Sequence, residues 1–323
     1  MDNRVIILLP MIIALSMAYL LLSLRHVNNG ETVLYLMPGK THFSLLGSYL
    51  QQSRYSMAEI YLENVTLIAS PFLWNLKSGG GLTNISFDYG GVAVNETLTQ
   101  VSLIDPEIHV IGYPGLMYGQ EYWFPFASRT ITSNPLKLPI KLSRLSDVWI
   151  TINYSLWRHL GTIDDFSYDI WLVRNPNATY LGPGDAEVML WMFANESLQN
   201  QQYWLKVGNL SIPMLIISNG NMMRSNMTYA VFILPHTGGT NGWSLIIFIP
   251  EFNESHGLWR GTYSINLNSL LNAAVNELSR RGLIGDMLYL NAIQVGLESY
   301  PDKLMSVSVG YNIYSWYLAS SPP

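Results

Sequence analysis

Cysteine is missing from this chain of 323 residues, and charge is scarce: Asp, Glu, Lys and Arg together make up 12% of it. Without cysteine neither a disulfide nor a thiolate metal site can form, so stability has to come from packing. The formal net charge is −5 and no basic run occurs, which removes the electrostatic footprint of a nucleic-acid-binding protein. The six histidines (His26, His42, His109, His159, His236, His256) show no H-E-x-x-H or comparable ligand spacing. The glycine run Gly79–Asn84, GGGLTN, lacks the Lys-Ser/Thr of a phosphate loop and reads as a turn. No G-x-S-x-G occurs, so the elbow of a serine hydrolase is absent. These gaps leave no expected metal and no expected cofactor.

Hydrophobic residues, by contrast, make up 49% of the chain, enough for a sizeable core and too many for a disordered protein. Val5–Leu24 is uncharged throughout and flanked by Arg4 and Arg25. Its length suffices to span a bilayer as a helix; an uncleaved anchor and a cleaved signal peptide both fit, and either places the remainder outside the membrane. N-x-S/T acceptor sites at Asn64, Asn84, Asn95, Asn153, Asn177, Asn195, Asn209, Asn226 and Asn253 agree with an extracellular or outer-face location. The expected organisation is a signal or anchor over 1–25, a spacer over 26–55, one domain over 56–318 and a tail over 319–323. A monomer is expected.

From about Ser56 short apolar or alternating runs recur between Gly, Pro, Asn and Asp clusters, as in AEIYLENVTLIA, DVWITINYSLW, MTYAVFIL and SVSVGYNIYSWYL. Many short strands with turn signals between them predict a sandwich or barrel. One segment departs. NLNSLLNAAVNELSRRG places Leu267, Leu270, Leu271, Ala274 and Leu278 on one helical face, with Arg280, Arg281 and Gly282 suited to a helix C-terminus.

Three strands carry an acid on an otherwise apolar stretch. In GDAEVMLWM, alternation puts Val188, Leu190 and Met192 on one face and Glu187, Met189 and Trp191 on the other. In YDIWLV, Asp169 and Trp171 share a face. In AIQVGLESYP, Gln294, Gly296 and Glu298 do. Aromatic rings stack on sugar faces, and two carboxylates flanking one bond are the minimum equipment for glycoside hydrolysis. For a single strand an equally simple reading exists, an edge strand with a solvated Glu and a Trp wedged in the core.

YDIWL, then DAEVMLWM, then a lone helix, then AIQVGLESYP, together with FLWNL (Phe72–Leu76) and IGYPGLMYG (Ile111–Gly119), resemble glycoside hydrolase family 12, the β-1,4-endoglucanases, over roughly 56–318. The resemblance implies an all-β fold, a β-jelly roll of two packed antiparallel sheets with a concave substrate cleft and one packed α-helix. It implies a retaining mechanism with Glu187 as nucleophile, Glu298 as acid/base and Asp169 supporting the nucleophile. Retention calls for carboxyl groups about 5–5.5 Å apart. It also implies substrate contacts from Trp74, Met189 and Trp191, to which the alternation in YDIWLV adds Trp171. The expected substrate is a β-linked polysaccharide of the cellulose type. Xylan or xyloglucan on the same fold, and a non-catalytic carbohydrate-binding or adhesion jelly roll, are the alternatives. Two departures stand out: segments 195–210 and 219–228 read as inserted loops, and SYP follows the acid/base. A shared proton between Asp169 and Glu187 points to an acidic activity optimum.

Overall fold

The structure is a computed structural model describing residues 32–37, 43–48, 57–88, 90–122, 128–195, 204–218, 221–237, 239–251, 257–285 and 287–322. The apolar segment Val5–Leu24 and the acceptor site at Asn253 lie outside the described residues. Among those described, no helix is long and apolar enough to cross a membrane.

Strands dominate, as the alternation predicts. The first nine are β1 (Val33–Tyr35), β2 (Phe43–Ser48), β3 (Ala58–Tyr61), β4 (Thr66–Ser70), β5 (Leu76–Asp88), β6 (Gly91–Leu103), β7 (Gly115–Gly119), β8 (Ile140–Lys141) and β9 (Trp149–Leu160). Then follow β10 (Thr162–Val173), β11 (Ala186–Ala194), β12 (Leu205–Ser218), β13 (Asn221–Thr237), β14 (Trp243–Pro250) and β15 (Arg260–Asn266). Helix α1 (Leu267–Ser279) precedes β16 (Tyr289–Tyr300) and β17 (Val307–Ala319).

Pairing sorts these strands into two layers. One runs β3–β4–β7–β16–β10–β11–β14–β13. The other runs β2–β5–β6–β17–β9–β15–β12. The long hairpin β12–β13 joins them: its tip half extends the second layer through Met214–Ile217, and its base extends the first through Tyr229–Thr237. Among the described strands every pairing is antiparallel except β11 with β14, which is parallel. This is the β-jelly roll that the motifs imply.

The main core lies between the layers. It takes Tyr168, Ile170 and Leu172 from β10, Val188, Leu190 and Met192 from β11, and Ile293, Val295 and Leu297 from β16. The opposite residues of the same strands point out of the first layer. There they form separate apolar clusters, one around Met189, Trp191 and Ile247 and one around Ile68, Met117 and Trp171. Because successive side chains alternate, one apolar strand serves both the core and the outer surface of its sheet.

The helix forms as its spacing predicts. Asn266 caps it, accepting from the Ser269 N–H at 2.8 Å. Leu267, Leu270, Leu271, Ala274 and Leu278 are buried. Gly282, at φ +68, ends it: its N–H reaches the Ser279 carbonyl, and the Leu283 N–H reaches that of Leu278. Free of a Cβ, glycine takes this left-handed turn without strain.

Two expectations differ. Within 26–55, read as a spacer, β1 pairs with β17 and β2 with β5. Short strands at an edge carry too few alternating residues to be legible. Segments 195–210 and 219–228, read as inserted loops, contribute Leu205–Leu210 and Asn221–Thr228 to the β12–β13 hairpin. Its strands pair across two sheets, and Ile212, Met214, Ile216, Tyr229, Val231 and Ile233 add an alternating apolar face to the core.

Candidate active site

The outer face of the first layer is floored by β16, β10 and β11 side by side. Asp169 and Trp171 of β10, Glu187, Met189 and Trp191 of β11, and Gln294 and Glu298 of β16 all fall on this face. Above it lies a cavity of about 730 Å³, within the usual range for a ligand site. Glu187, Glu298, Asp169, Met189, Trp191 and Trp74 all line it.

Trp74 arrives from a turn, not from a strand. It sits between β4 and β5, in a segment fixed by its neighbour. Asn75 donates through Nδ2 to the carbonyls of Asp105 (3.0 Å), Ile108 (2.7 Å) and Val110 (2.8 Å), and its Oδ1 accepts from the Asp105 N–H at 2.8 Å. Gly112, in the G-Y-P segment, runs so close to this turn that a Cβ there would lie 2.4 Å from Leu73 Cα. The next residue, Tyr113, donates its hydroxyl to the Ser167 carbonyl of β10 at 2.9 Å. FLWNL and IGYPG thus form one interlocked wall of the cavity.

Trp171 is placed differently from the sequence expectation. It is 1% exposed and lies beneath the cavity, edge-on to Tyr122 and to Trp243. Its indole N–H donates to Gln294 Oε1 at 2.9 Å. Same-face alternation located the side chain correctly, but it cannot say which aromatic on a face is covered by others.

Glu187 is held by a residue that the sequence did not single out. Trp243, at the start of β14, donates its indole N–H to Glu187 Oε2 at 2.7 Å. The parallel pairing of β11 with β14 brings it there, and parallel pairing between strands 56 residues apart leaves no local signal. Trp204 also lines the cavity and meets Trp191 edge-on, with centroids 5.8 Å apart.

Two more acids lie beside those of the floor: Asp164, which lines the cavity, and Asp165, which is fully buried. Asp165 pairs across the sheet with Glu298 and shares the parity of Asp169, so alternation carried a usable signal for it. Asp164 has the wrong parity for this face. The β10–β16 register shifts between Ile163 and Asp165, and Asp164 reaches the cavity through that irregularity. Among the described residues, Asp164, Asp165 and Glu298 form a carboxyl cluster with oxygens within 4.8 Å of one another.

Burial governs the charge of this floor. It pushes Glu187 up to about 7, with the Trp243 hydrogen bond opposing the rise. It holds Asp169 well above the usual carboxylate range, reinforced by the charge of Glu187 and then of Asp165. Glu298 is also raised well above its ordinary value, by burial first and then by Asp165, Asp164 and Asp169. All three therefore resist ionisation, and the charge of Glu187, once formed, opposes that of Asp169. One carboxylate and one carboxylic acid can coexist over one cavity, which is the pairing that acid-assisted displacement at a glycosidic bond requires.

A jelly roll with acids on three adjacent strands beneath an aromatic-walled cavity has the construction of a glycosidase fold. The comparisons agree: residues 67–203 match Glycosyl hydrolase family 12, and the resemblance read from the motifs holds for the fold as well. The structure superposes on a native family 12 xyloglucanase from Bacillus licheniformis with TM-score 0.59 and 17% identity, covering 85% of this chain and 99% of that one. An endoglucanase from Rhodothermus marinus gives TM-score 0.52 and 18% identity, over 84% of this chain and 99% of that one. Endoglucanase 3 from Trichoderma harzianum gives 0.52 and 16%, over 85% and 96%. No curated protein sequence matches the chain.

Proposed function

We propose that the protein is a retaining endo-β-1,4-glucanase acting on β-glucans outside the membrane. The observation that carries the proposal is the placement of Glu187 and Glu298 over one cavity, on strands that flank β10, with Trp74, Trp191, Trp204 and Trp243 around them. Glu187 attacks the anomeric carbon as the ionised form, oriented by Trp243. Glu298 gives its proton to the departing glycosidic oxygen, then takes one from the water that releases the sugar. Asp169, protonated, hydrogen-bonds the nucleophile. Trp74 offers a ring face to sugar units, while Trp191, 1% exposed and edge-on to Trp204, and Met189 support the floor beneath.

The location rests on the apolar segment Val5–Leu24 and on the acceptor asparagines. None of the seven with a described side-chain environment, Asn64, Asn84, Asn95, Asn153, Asn177, Asn195 and Asn209, is buried.

A reducing-sugar assay on mixed-linkage β-glucan, carboxymethyl cellulose, xyloglucan and xylan tests the reading. Wild type is expected to act on the glucans, and Glu187→Gln and Glu298→Gln are each expected to lower the rate by at least about 10³-fold, the scale on which loss of a catalytic group acts, while binding persists. Initial release of the β-anomer, read by proton NMR, is expected for retention. Binding without hydrolysis in the wild type would instead favour the carbohydrate-binding alternative. A rate on xyloglucan or xylan well above that on glucan would move the assignment to that substrate.

A further inference from the structure

Asp165 is not required by the proposed reaction, yet it sits opposite the acid/base. It is fully buried on β10, with Glu298 as its direct partner across the sheet on β16. Neither of its carboxyl oxygens has a hydrogen bond of normal geometry, and the nearby Ser167 hydroxyl offsets only part of the effect of burial. Its oxygens lie within 4.8 Å of carboxyl oxygens of both Glu298 and Asp164. Among the described residues no lysine, arginine or histidine forms an ion pair with any of the three. A buried ionised carboxylate without donor or counter-charge is costly, and two adjacent ones are worse. The simplest arrangement that removes the cost is a proton held between two carboxyl groups.

We propose that Asp165 is a positioning residue for Glu298: the two carboxyl groups share one proton, and this keeps Glu298 in its acid form and oriented over the cavity. The inference rests on the reading of Glu298 as acid/base. Other groups around Glu298 act in the same direction or are neutral. Asp164 and Asp169 of β10 add like charge. Tyr113, whose ring packs on Gly296, has a hydroxyl raised far above its ordinary value by burial and is uncharged. Tyr300 on the same strand accepts from Asn195 Nδ2 at 2.6 Å. His109 and Glu187 lie elsewhere in the cavity wall. In the first half-reaction the Glu298 O–H bond breaks as the proton passes to the leaving oxygen. In the second, attacking water returns a proton to Glu298. Asp165 exchanges no net proton across the cycle; its charge sets how firmly Glu298 holds the proton in between. Asp169 plays the corresponding part at Glu187, so each catalytic carboxyl has its own buried acid on the central strand.

The test follows two signals in parallel: the carboxyl carbon of Glu298 by 13C NMR against pH, and the pH profile of kcat/KM on soluble β-glucan. In the wild type the Glu298 midpoint is expected well above the ordinary glutamate range; a midpoint near 4–5, the unperturbed range, overturns the proposal. In Asp165→Asn the amide donates to the Glu298 carboxylate in place of opposing it, so the midpoint and the basic limb of the profile are both expected to fall by about one pH unit or more. A folded Asp165→Asn protein with an unmoved midpoint overturns it. Should that variant not fold, Asp164→Asn removes the second neighbouring charge at a site open to the cavity, and there too the midpoint must fall. An inactive wild type would remove the proposed enzymatic function, whereas the NMR titration would still decide the pairing of Asp165 with Glu298.

Discussion

At the residue scale the structure turns a list of acids into a set of buried carboxyls that resist ionisation. Burial pushes Glu187 up to about 7 and raises Asp169 and Glu298 well above the ordinary carboxylate range. On the proposed roles, activity requires Glu187 ionised and Glu298 protonated. The acid limb of kcat/KM is expected near pH 7, where burial sets Glu187. The sequence alone pointed to an acidic optimum, because it showed the like charges and not how deeply both were buried. Trp243 opposes that rise. Trp243→Phe loses the hydrogen bond to Glu187, so the acid limb is expected to move to higher pH. A bond to a charged group contributes about 1.5–3 kcal/mol, so kcat/KM should fall by roughly 10- to 100-fold. Steady-state kinetics across pH measures both. Trp243 was illegible in the sequence because its partner lies 56 residues away. Asp165 was legible by its parity with Asp169, two positions beyond Ser167 on the same face.

At the element scale the alternation rule did most of the placing. β10, β11 and β16 are apolar on both faces, and Asp165, Asp169, Glu187 and Glu298 fall on one side as the period of two requires, with Asp164 the exception at a register shift. Such strands cannot be told from fully buried ones by hydrophobicity; the acid in each is the mark of the second face. Helix α1 was legible from spacing and from its C-terminal residues. Arg281 there donates to the Glu277 carbonyl at 3.0 Å as well as to its side chain at 2.8 Å. Its N-terminus depends on Asn266. Asn266→Ala is expected to cost about 1 kcal/mol of stability, seen as a lower urea midpoint with an unchanged slope. The hairpin β12–β13 was the element least open to reading. The run MTYAVFIL marked the half that pairs with β14, whereas the reading of 195–210 and 219–228 as loops missed its continuation and the pairing of its tip with β15.

At the scale of the whole molecule the buried carboxyls link stability to pH. Glu96 is fully buried, accepts from the Ser299 hydroxyl at 2.8 Å, and is pushed up to about 7 by burial. Its folded value exceeds its unfolded one, so the native state holds the proton more tightly between roughly pH 4.5 and 7. That contribution is complete below the unfolded value and is lost as pH rises through the folded one. From its ordinary 4.5 to about 7, the loss is on the order of 3 kcal/mol. Asp164, Asp165, Asp169, Glu187 and Glu298 are shifted in the same direction. Tm is therefore expected to fall between pH 5 and pH 8, and Glu96→Gln is expected to flatten part of that slope. A Tm that rises over the same interval would contradict the burial of these groups as protonated acids.

Composition and alternation by themselves determined that this chain packs as β layers, that one helix interrupts them, and that Glu187, Asp169 and Glu298 point away from the core. These are local properties, set by the geometry of a strand and the spacing of a helix. Only the tertiary structure decided that Trp171 lies under the cavity floor while Trp74 reaches its wall, that Trp243 holds Glu187, and that Asp165 faces Glu298. Each of these depends on register between strands distant in sequence and on which side chain covers which. Such long-range pairing is settled by the packing of the whole core, and no stretch of the chain carries it alone.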